Sequence, residues 1–237
     1  MNADIINRTI DAMCIEITAQ GNLSMDWRLL TEDQIFYEAA ICIFCSQMQF
    51  EMAVAAADRL LDLGLLRSRQ LADMADYEER LLDALSQPLA VPGRDGGVRT
   101  MKPRFRNRLA SLLATTVMEI YGKGRSLRRL LIAAESTKYA RKTLMLNVWG
   151  FGPKQASLFL RRIGYCADLA VLDVHVLDYL HLTRGLRIAP SQLGRLSNYE
   201  EIEDTFREIA SYFGHSLGCV DLAIWLTMRV AKREAYL

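Results

Sequence analysis

The chain has 237 residues, is 51% hydrophobic and carries a formal net charge of +1, so it can bury one large core or two modest ones. No stretch approaches the roughly 20 apolar residues that span a bilayer, and MNADIINRTIDAMCIEI has acidic residues where a signal peptide needs a basic start and an unbroken apolar segment. The expectation is a soluble cytoplasmic protein with no membrane partner. Five scattered cysteines, Cys14, Cys42, Cys45, Cys166 and Cys219, argue against a disulfide framework.

Five prolines, fourteen glycines and long runs rich in Ala, Leu, Met and Arg favour an all-α chain, and no alternating β-branched run argues for a sheet. An amphipathic helix is predicted over Asp4–Ala19, a loop over Gly21–Met25 and another helix after Thr31. The apolar stretch Glu38–Leu63 breaks between Ser46 and Glu51 into two helices, and Arg67–Leu85 supplies one or two more. SQPLAVPGRDGGV, Ser86–Val98, has the Pro and Gly density of an exposed loop. A helix follows over Phe105–Tyr121, ended by GKG, and another over Ser126–Glu135 with Ser126 as a candidate N-cap. Lys138–Val148 and Pro153–Ile163 flank a glycine turn, and further helices are predicted over Asp173–Leu182, Asn198–Phe213 and Leu217–Glu234.

Charge is unevenly spread. From Arg94 to Arg129 there are ten basic residues, among them Arg104, Arg106 and Arg108, against Asp95 and Glu119, whereas Asp26–Asp83 is mostly acidic. Such polarity steers a polyanion to one side; a solvated helix face is the other reading. Cys42 and Cys45 form a C-x-x-C within the apolar AAICIFCSQM, where cysteine packs as a small hydrophobe.

The most informative stretch is NVWGFGPKQASLFLRRIGYCADLAVLDVHVLDYL, Asn147–Leu180. Gly150 and Gly152 bracket Phe151, and a turn this tight calls for residues that tolerate positive φ and close backbone approach. Pro153 suits the first turn of the next helix. The unpaired amides there can hold a phosphate, so the unit reads as a clamp on a nucleic-acid backbone without sequence preference.

GFGPKQASLFLR and VLDVH resemble the G-[IF]-G-x-K-x-A-S-x-F-L-R and [IVL]-x-D-x-H segments of the helix-hairpin-helix DNA glycosylases, and among them the archaeal-type 8-oxoguanine DNA glycosylase/AP lyases. PRFRNRLA, ICIFCSQMQFE and VDLAIW resemble further family stretches, so the similarity runs from about Glu38 to Arg229. The resemblance implies a two-lobed all-α fold: a six-helix barrel lobe over 30–165 containing the hairpin, a second lobe from 1–29 and 166–237, and a DNA-binding cleft between them. It implies a bifunctional DNA glycosylase and AP lyase acting on double-stranded DNA with a damaged or modified base, 8-oxoguanine first among them, with no cofactor. The iron-sulfur motif of endonuclease III-like relatives needs four C-terminal cysteines, and only Cys219 lies in the last seventy residues. No protein partner is implied.

Lys154 is the nucleophile in this resemblance, and an amine attacks only when neutral. A first-turn position, beside the positive end of the helix dipole, disfavours the ammonium. Read from the residues alone, Lys154 equally makes a phosphate contact. Asp173 is a good N-cap for the helix that follows it; in the family the matching aspartate also supports an oxocarbenium-like sugar. Catalysis on a base within a duplex requires flipping it out, and the resemblance places Phe105 and Trp225 in the base pocket, a core role being the alternative for each; Asp221, four residues before Trp225 on the same helical face, can accept from the base edge. Gln47 matches the residue that fills the gap left by the flipped base, with a capping or kink role as the alternative. Gly150, Gly152, Arg104, Arg106 and Arg108 complete the DNA-binding set.

The chain departs from the family in four ways. Val174 follows Asp173 where the family often has arginine, Leu158 and Arg162 replace a histidine and an asparagine, and TMRVAKREAYL replaces a tail with a terminal lysine. These changes leave the identity of the lesion open. The rival function is a non-catalytic or altered-specificity helix-hairpin-helix DNA-binding protein, acting in bacterial antiviral defence.

Overall fold

The computed structural model describes residues 2–20, 25–71, 74–93 and 96–232. Arg94 and Asp95 of the basic stretch, part of the Gly21–Met25 loop and the tail 233–237 lie outside these. The chain forms two compact units, one of residues 1–26 and 152–237, the other of residues 27–151.

The 27–151 unit contains α2 (Glu32–Phe44), α3 (Phe50–Asp62), α4 (Ser68–Leu71), α5 (Tyr77–Ser86), α6 (Arg106–Ile120), α7 (Leu127–Ile132) and α8 (Thr137–Asn147). The long apolar run does break, between Phe44 and Phe50. A capping box starts α2: Gln34 N donates to Thr31 Oγ1 and Thr31 N to Gln34 Oε1. Glu32, in its first turn, accepts from Tyr121 Oη and from the backbone amides of Leu127 and Arg128, so one carboxylate joins α2, the end of α6 and the start of α7. Ser126 caps α7 as predicted, its hydroxyl accepting from Arg129 N.

One expectation needs correction here. The Ser86–Val98 stretch is not simply a loop: Leu89–Pro92 (β1) pairs antiparallel with Val98–Met101 (β2). Leu89 and Val91 are buried, Ala90 and Pro92 exposed, and β1 packs on α3. A four-residue strand leaves little period to read, and Pro92 sits at its end, where a missing amide is harmless.

In the second unit α1 (Ala3–Ala19) packs on α12 (Leu217–Ala231), and α10 (Val174–Arg184) and α11 (Leu196–Ser211) also pack on α12. Ile6, Ile10, Cys14 and Ile17 are buried on one face of α1, in a core with Tyr179, Tyr199, Phe206, Val220 and Ile224. The N-terminal residues that match the family poorly thus build the core of this unit. Helix α9 (Pro153–Arg162) belongs to it as well, packing on the short helical turn Pro190–Gly194 and pairing Arg161 with Asp221 of α12. The chain therefore divides at Phe151/Gly152, ahead of the 165 boundary drawn from the sequence, because α9 shares its contacts with the C-terminal residues.

Candidate active site and nucleic-acid interface

The turn after α8 is held by backbone and side chain together. Phe151 N donates to Val148 O at 3.1 Å, and Trp149 N donates to Thr116 Oγ1 of α6 at 3.0 Å. Gly150 has φ +91°, a conformation that demands glycine, and a Cβ there would lie a tight 3.1 Å from Leu112 Cδ1. Gly152 differs from the expectation: with φ −102° and ψ −173° it is extended, and a Cβ would meet only Gln155 Oε1 at 3.7 Å. It serves as the N-cap of α9 and offers no side chain to bond the first amides. Pro153 has no amide, and Ala156 N is satisfied by Gly152 O. The amides of Lys154 and Gln155 have no cap or loop hydrogen bond among the described residues, the kind of helix start that can hold an anion.

Lys154, in this first turn, is half-buried and has no ion pair or hydrogen bond among the described residues. Asp173 caps α10, its Oδ1 accepting from His175 N at 2.9 Å and Val176 N at 3.1 Å. Both cap bonds use one oxygen, and Oδ2 has no hydrogen bond among the described residues. Lys154, Asp173, Asp221 and Trp225 all lie in the same unit; Gln47, Phe105, Gly150, Arg104, Arg106 and Arg108 lie in the other.

Asp221 is engaged in a way that its proposed base-edge role did not anticipate. Its Oδ2 pairs with Arg161 Nη1 of α9, with side chains 5% and 9% exposed, and Arg161 Nη2 also donates to Gly218 O at 2.7 Å. Asp221 Oδ1 is buried without a hydrogen bond. Burying a carboxylate demands a counter-charge, and this pair braces α9 on α12. Burial pulls Arg161 down from 12.5 to about 10, opposed by nearby Tyr199, Cys166, Cys219 and Asp173.

Trp225 is half-buried, its ring edge-on to His175 with centroids 6.3 Å apart, and Arg229 stacks over it at 4.2 Å. Phe105 is 51% exposed, beside α6, which removes the core reading of that aromatic. Gln47 lies in the α2–α3 turn, its amide donating to Phe44 O. The basic stretch divides by role: Arg125 bonds Asn147 Oδ1, Arg128 bonds Arg28 O and Lys123 pairs with Glu119, whereas Lys102, Arg104, Arg106 and Arg108 are exposed. Cys42 is buried and Cys45 half-buried.

The Ogg-HhH family model, described as 8-oxoguanine DNA glycosylase, matches residues 96–215, half of the chain. The chain belongs to the 8-oxoguanine DNA glycosylase family. An 8-oxoguanine DNA glycosylase/AP lyase from Metallosphaera sedula is 30% identical over 203 residues, covering 83% of this chain and 84% of that protein. The one from Saccharolobus solfataricus is 35% identical over 130 residues, covering 54% of this chain; the match spans 60% of that relative's length. The fold is that of the 8-oxoguanine DNA glycosylase of Thermotoga maritima, with TM-score 0.71, 23% identity, and 94% and 96% of the two chains covered. It is also that of the Methanocaldococcus jannaschii 8-oxoguanine glycosylase/lyase in complex with 15mer DNA containing 8-oxoguanine, with TM-score 0.67, 22% identity, and 99% and 92% covered.

The family match contains Phe105, Lys154 and Asp173, whereas Gln47, Asp221 and Trp225 lie outside it. Sequence reasoning missed Arg161 as a structural pivot, and nothing in FLRR separates it from Arg162. It also missed Tyr199 and Glu203 of α11. There a signal exists: Glu203 interrupts the apolar stripe of Tyr199, Phe206 and Ala210 and is itself buried.

Among the described residues no helix is long and apolar enough to cross a membrane.

Proposed function

We propose that this family member is a bifunctional DNA glycosylase/AP lyase that excises an oxidised purine, 8-oxoguanine, from double-stranded DNA, working in the cytoplasm and without a cofactor. The observation that carries this reading is the presence, in one unit, of an unengaged Lys154 in the first turn of α9 and of an Asp173 that caps α10 with one oxygen and leaves Oδ2 unbonded among the described residues. The M. jannaschii relative's complex with 8-oxoguanine DNA supports the substrate.

In this mechanism the neutral Lys154 Nζ attacks C1′ of a flipped nucleotide, and the N-glycosidic bond breaks with its electron pair leaving on the base. Asp173, fixed by its cap, stabilises the positive charge that develops on the sugar. Loss of the amine proton and ring opening give an imine between Nζ and C1′. Removal of a proton from C2′ then drives out the 3′-phosphate, and water releases the enzyme. The open amides of α9 and the arginines around the start of α6 hold the DNA backbone.

Borohydride reduction during incubation with an 8-oxoguanine duplex tests the reading. A covalent adduct that disappears in Lys154→Gln, and excision slowed about 100-fold or more in Asp173→Asn, support it. Tight DNA binding with no adduct, on either the lesion or an abasic duplex, overturns it in favour of a non-catalytic binding protein.

A further inference from the structure

Asp173 is delivered to its cap by residues 168–172, which join α9 to α10 and have no strand partner. Their backbone groups must find partners elsewhere, because Leu169, Ala170 and Leu172 are buried. For Asp168 O, Ala170 N and O, and Leu172 N the partners come from one face of α11. Leu172 N donates to Tyr199 Oη at 3.0 Å, and that hydroxyl donates onward to Ala170 O at 2.8 Å. Ala170 N donates to Glu203 Oε1 at 2.9 Å. Arg207 Nη2 donates to Asp168 O at 3.3 Å while Nη1 pairs with the Asp168 carboxylate.

The spacing explains why this works. Tyr199, Glu203 and Arg207 are four residues apart, a helical advance of about 6 Å per step. Their targets, residues 172, 170 and 168, are two apart, and extended chain advances about 6.6 Å over two residues. Helix and segment run antiparallel with nearly matched pitch, so the side chains act as a comb holding alternate residues in register. Asp173 N then turns back onto Val171 O at 2.7 Å and α10 begins. A slip of one residue would orphan buried groups at both Ala170 and Leu172.

We infer that Tyr199 and Glu203 are positioning residues that fix the segment 168–172 and thereby aim the Asp173 carboxylate. Neither touches substrate in this assignment. The inference rests on the proposed function for its consequence in catalysis, and on the hydrogen bonds of α11 for its structural content.

The test uses the full chain, with Tyr199→Phe, Glu203→Gln and Glu203→Leu. Three quantities are measured: the single-turnover excision rate on an 8-oxoguanine duplex, the affinity for that duplex, and hydrogen exchange of peptides covering 168–177. Ile10→Val, a core change in α1 of the same unit, serves as the control for general loss of stability. Tyr199→Phe and Glu203→Leu are expected to slow excision about 10–100-fold at unchanged affinity, and to speed exchange at 168–177. Glu203→Gln keeps an acceptor for Ala170 N and is expected to retain the wild-type rate and exchange.

Tyr199→Phe with wild-type rate, or with unchanged exchange at 168–177, overturns the inference, as does an Ile10→Val variant slowed equally at equal melting temperature. Should the wild type cut neither lesion nor abasic duplex while exchange still rises in Tyr199→Phe, the proposed function fails and the placement of Asp173 by α11 stands.

Discussion

Arg161 of α9 and Asp221 of α12 form an ion pair with both side chains under a tenth exposed, and Gly218 makes room for it. A Cβ at Gly218 would sit 2.8 Å from Ala167 O and 3.1 Å from Arg161 Nε. The helix that carries Lys154 is therefore anchored at its far end by a charge contact. Removing one member of a buried pair leaves an uncompensated charge and costs about 3–5 kcal/mol, whereas replacing both with apolar residues is far milder. Arg161→Met and Asp221→Leu are each expected to lower the denaturation midpoint strongly, and the double variant to recover most of the loss. Equal destabilisation in all three, by urea unfolding, would show that the pair itself is not the anchor.

The two glycines of the turn are expected to fail differently. Gly150→Ala forces a side chain onto φ +91° and against Leu112, a strain of about 1–2 kcal/mol seen as a lower melting temperature. Gly152→Ala meets only an ordinary contact with Gln155, so the melting temperature is expected to hold. If the first amides of α9 approach a phosphate, that methyl nonetheless weakens duplex binding. Calorimetry and fluorescence anisotropy on both variants separate the two effects.

Helix α6 begins with Arg106 and Arg108, and Phe105, before it, supplies no side-chain cap bond. Cations at a helix start oppose its dipole by about 0.3–1 kcal/mol each, an arrangement that makes sense when an anion is the partner. Converting Arg104, Arg106 and Arg108 together to Gln is expected to leave folding unchanged or slightly improved while DNA affinity drops. The slope of log affinity against log salt should fall by about 0.9 for each phosphate that is no longer neutralised. A lowered melting temperature with an unaltered slope would assign these arginines to the fold.

How far the sequence could be read depended on how local each determinant is. The caps at Ser126 and Asp173 and the break after Phe44 rest on a few adjacent residues and were legible. The β1–β2 hairpin was hidden because only Leu89 and Val91 carry its inward face, among prolines and glycines. Gly152 looked conformationally equivalent to Gly150 because spacing says nothing of φ. The engagement of Asp221 was not legible, since its partner lies sixty positions away in an FLRR run that looks like solvated surface. The comb on α11 is likewise a long-range match between two periodicities, four along a helix and two along a segment.

Cys14 gives the protein a pH limit. Burial, then the neighbouring Cys219, pushes its thiol up from 9.0 to about 12, and burial also raises Tyr77, Tyr121 and Tyr179 above their usual 10. Each of these groups is held neutral in the folded chain and ionises more readily once unfolded. Their contribution is therefore fully present below the unfolded values, near pH 9 for the thiol and 10 for the phenols, and is lost as pH rises above them. For Cys14 the window runs from pH 9 to about 12. Through this thiol the melting temperature is expected to show no pH dependence below pH 9 and to decline above it. Cys14→Ala should lower the melting temperature at pH 7 through the small cavity it leaves in the α1–α12 core, yet flatten the decline between pH 9 and 11. Parallel declines for variant and wild type across that interval would remove Cys14 from the alkaline response and leave it to the tyrosines.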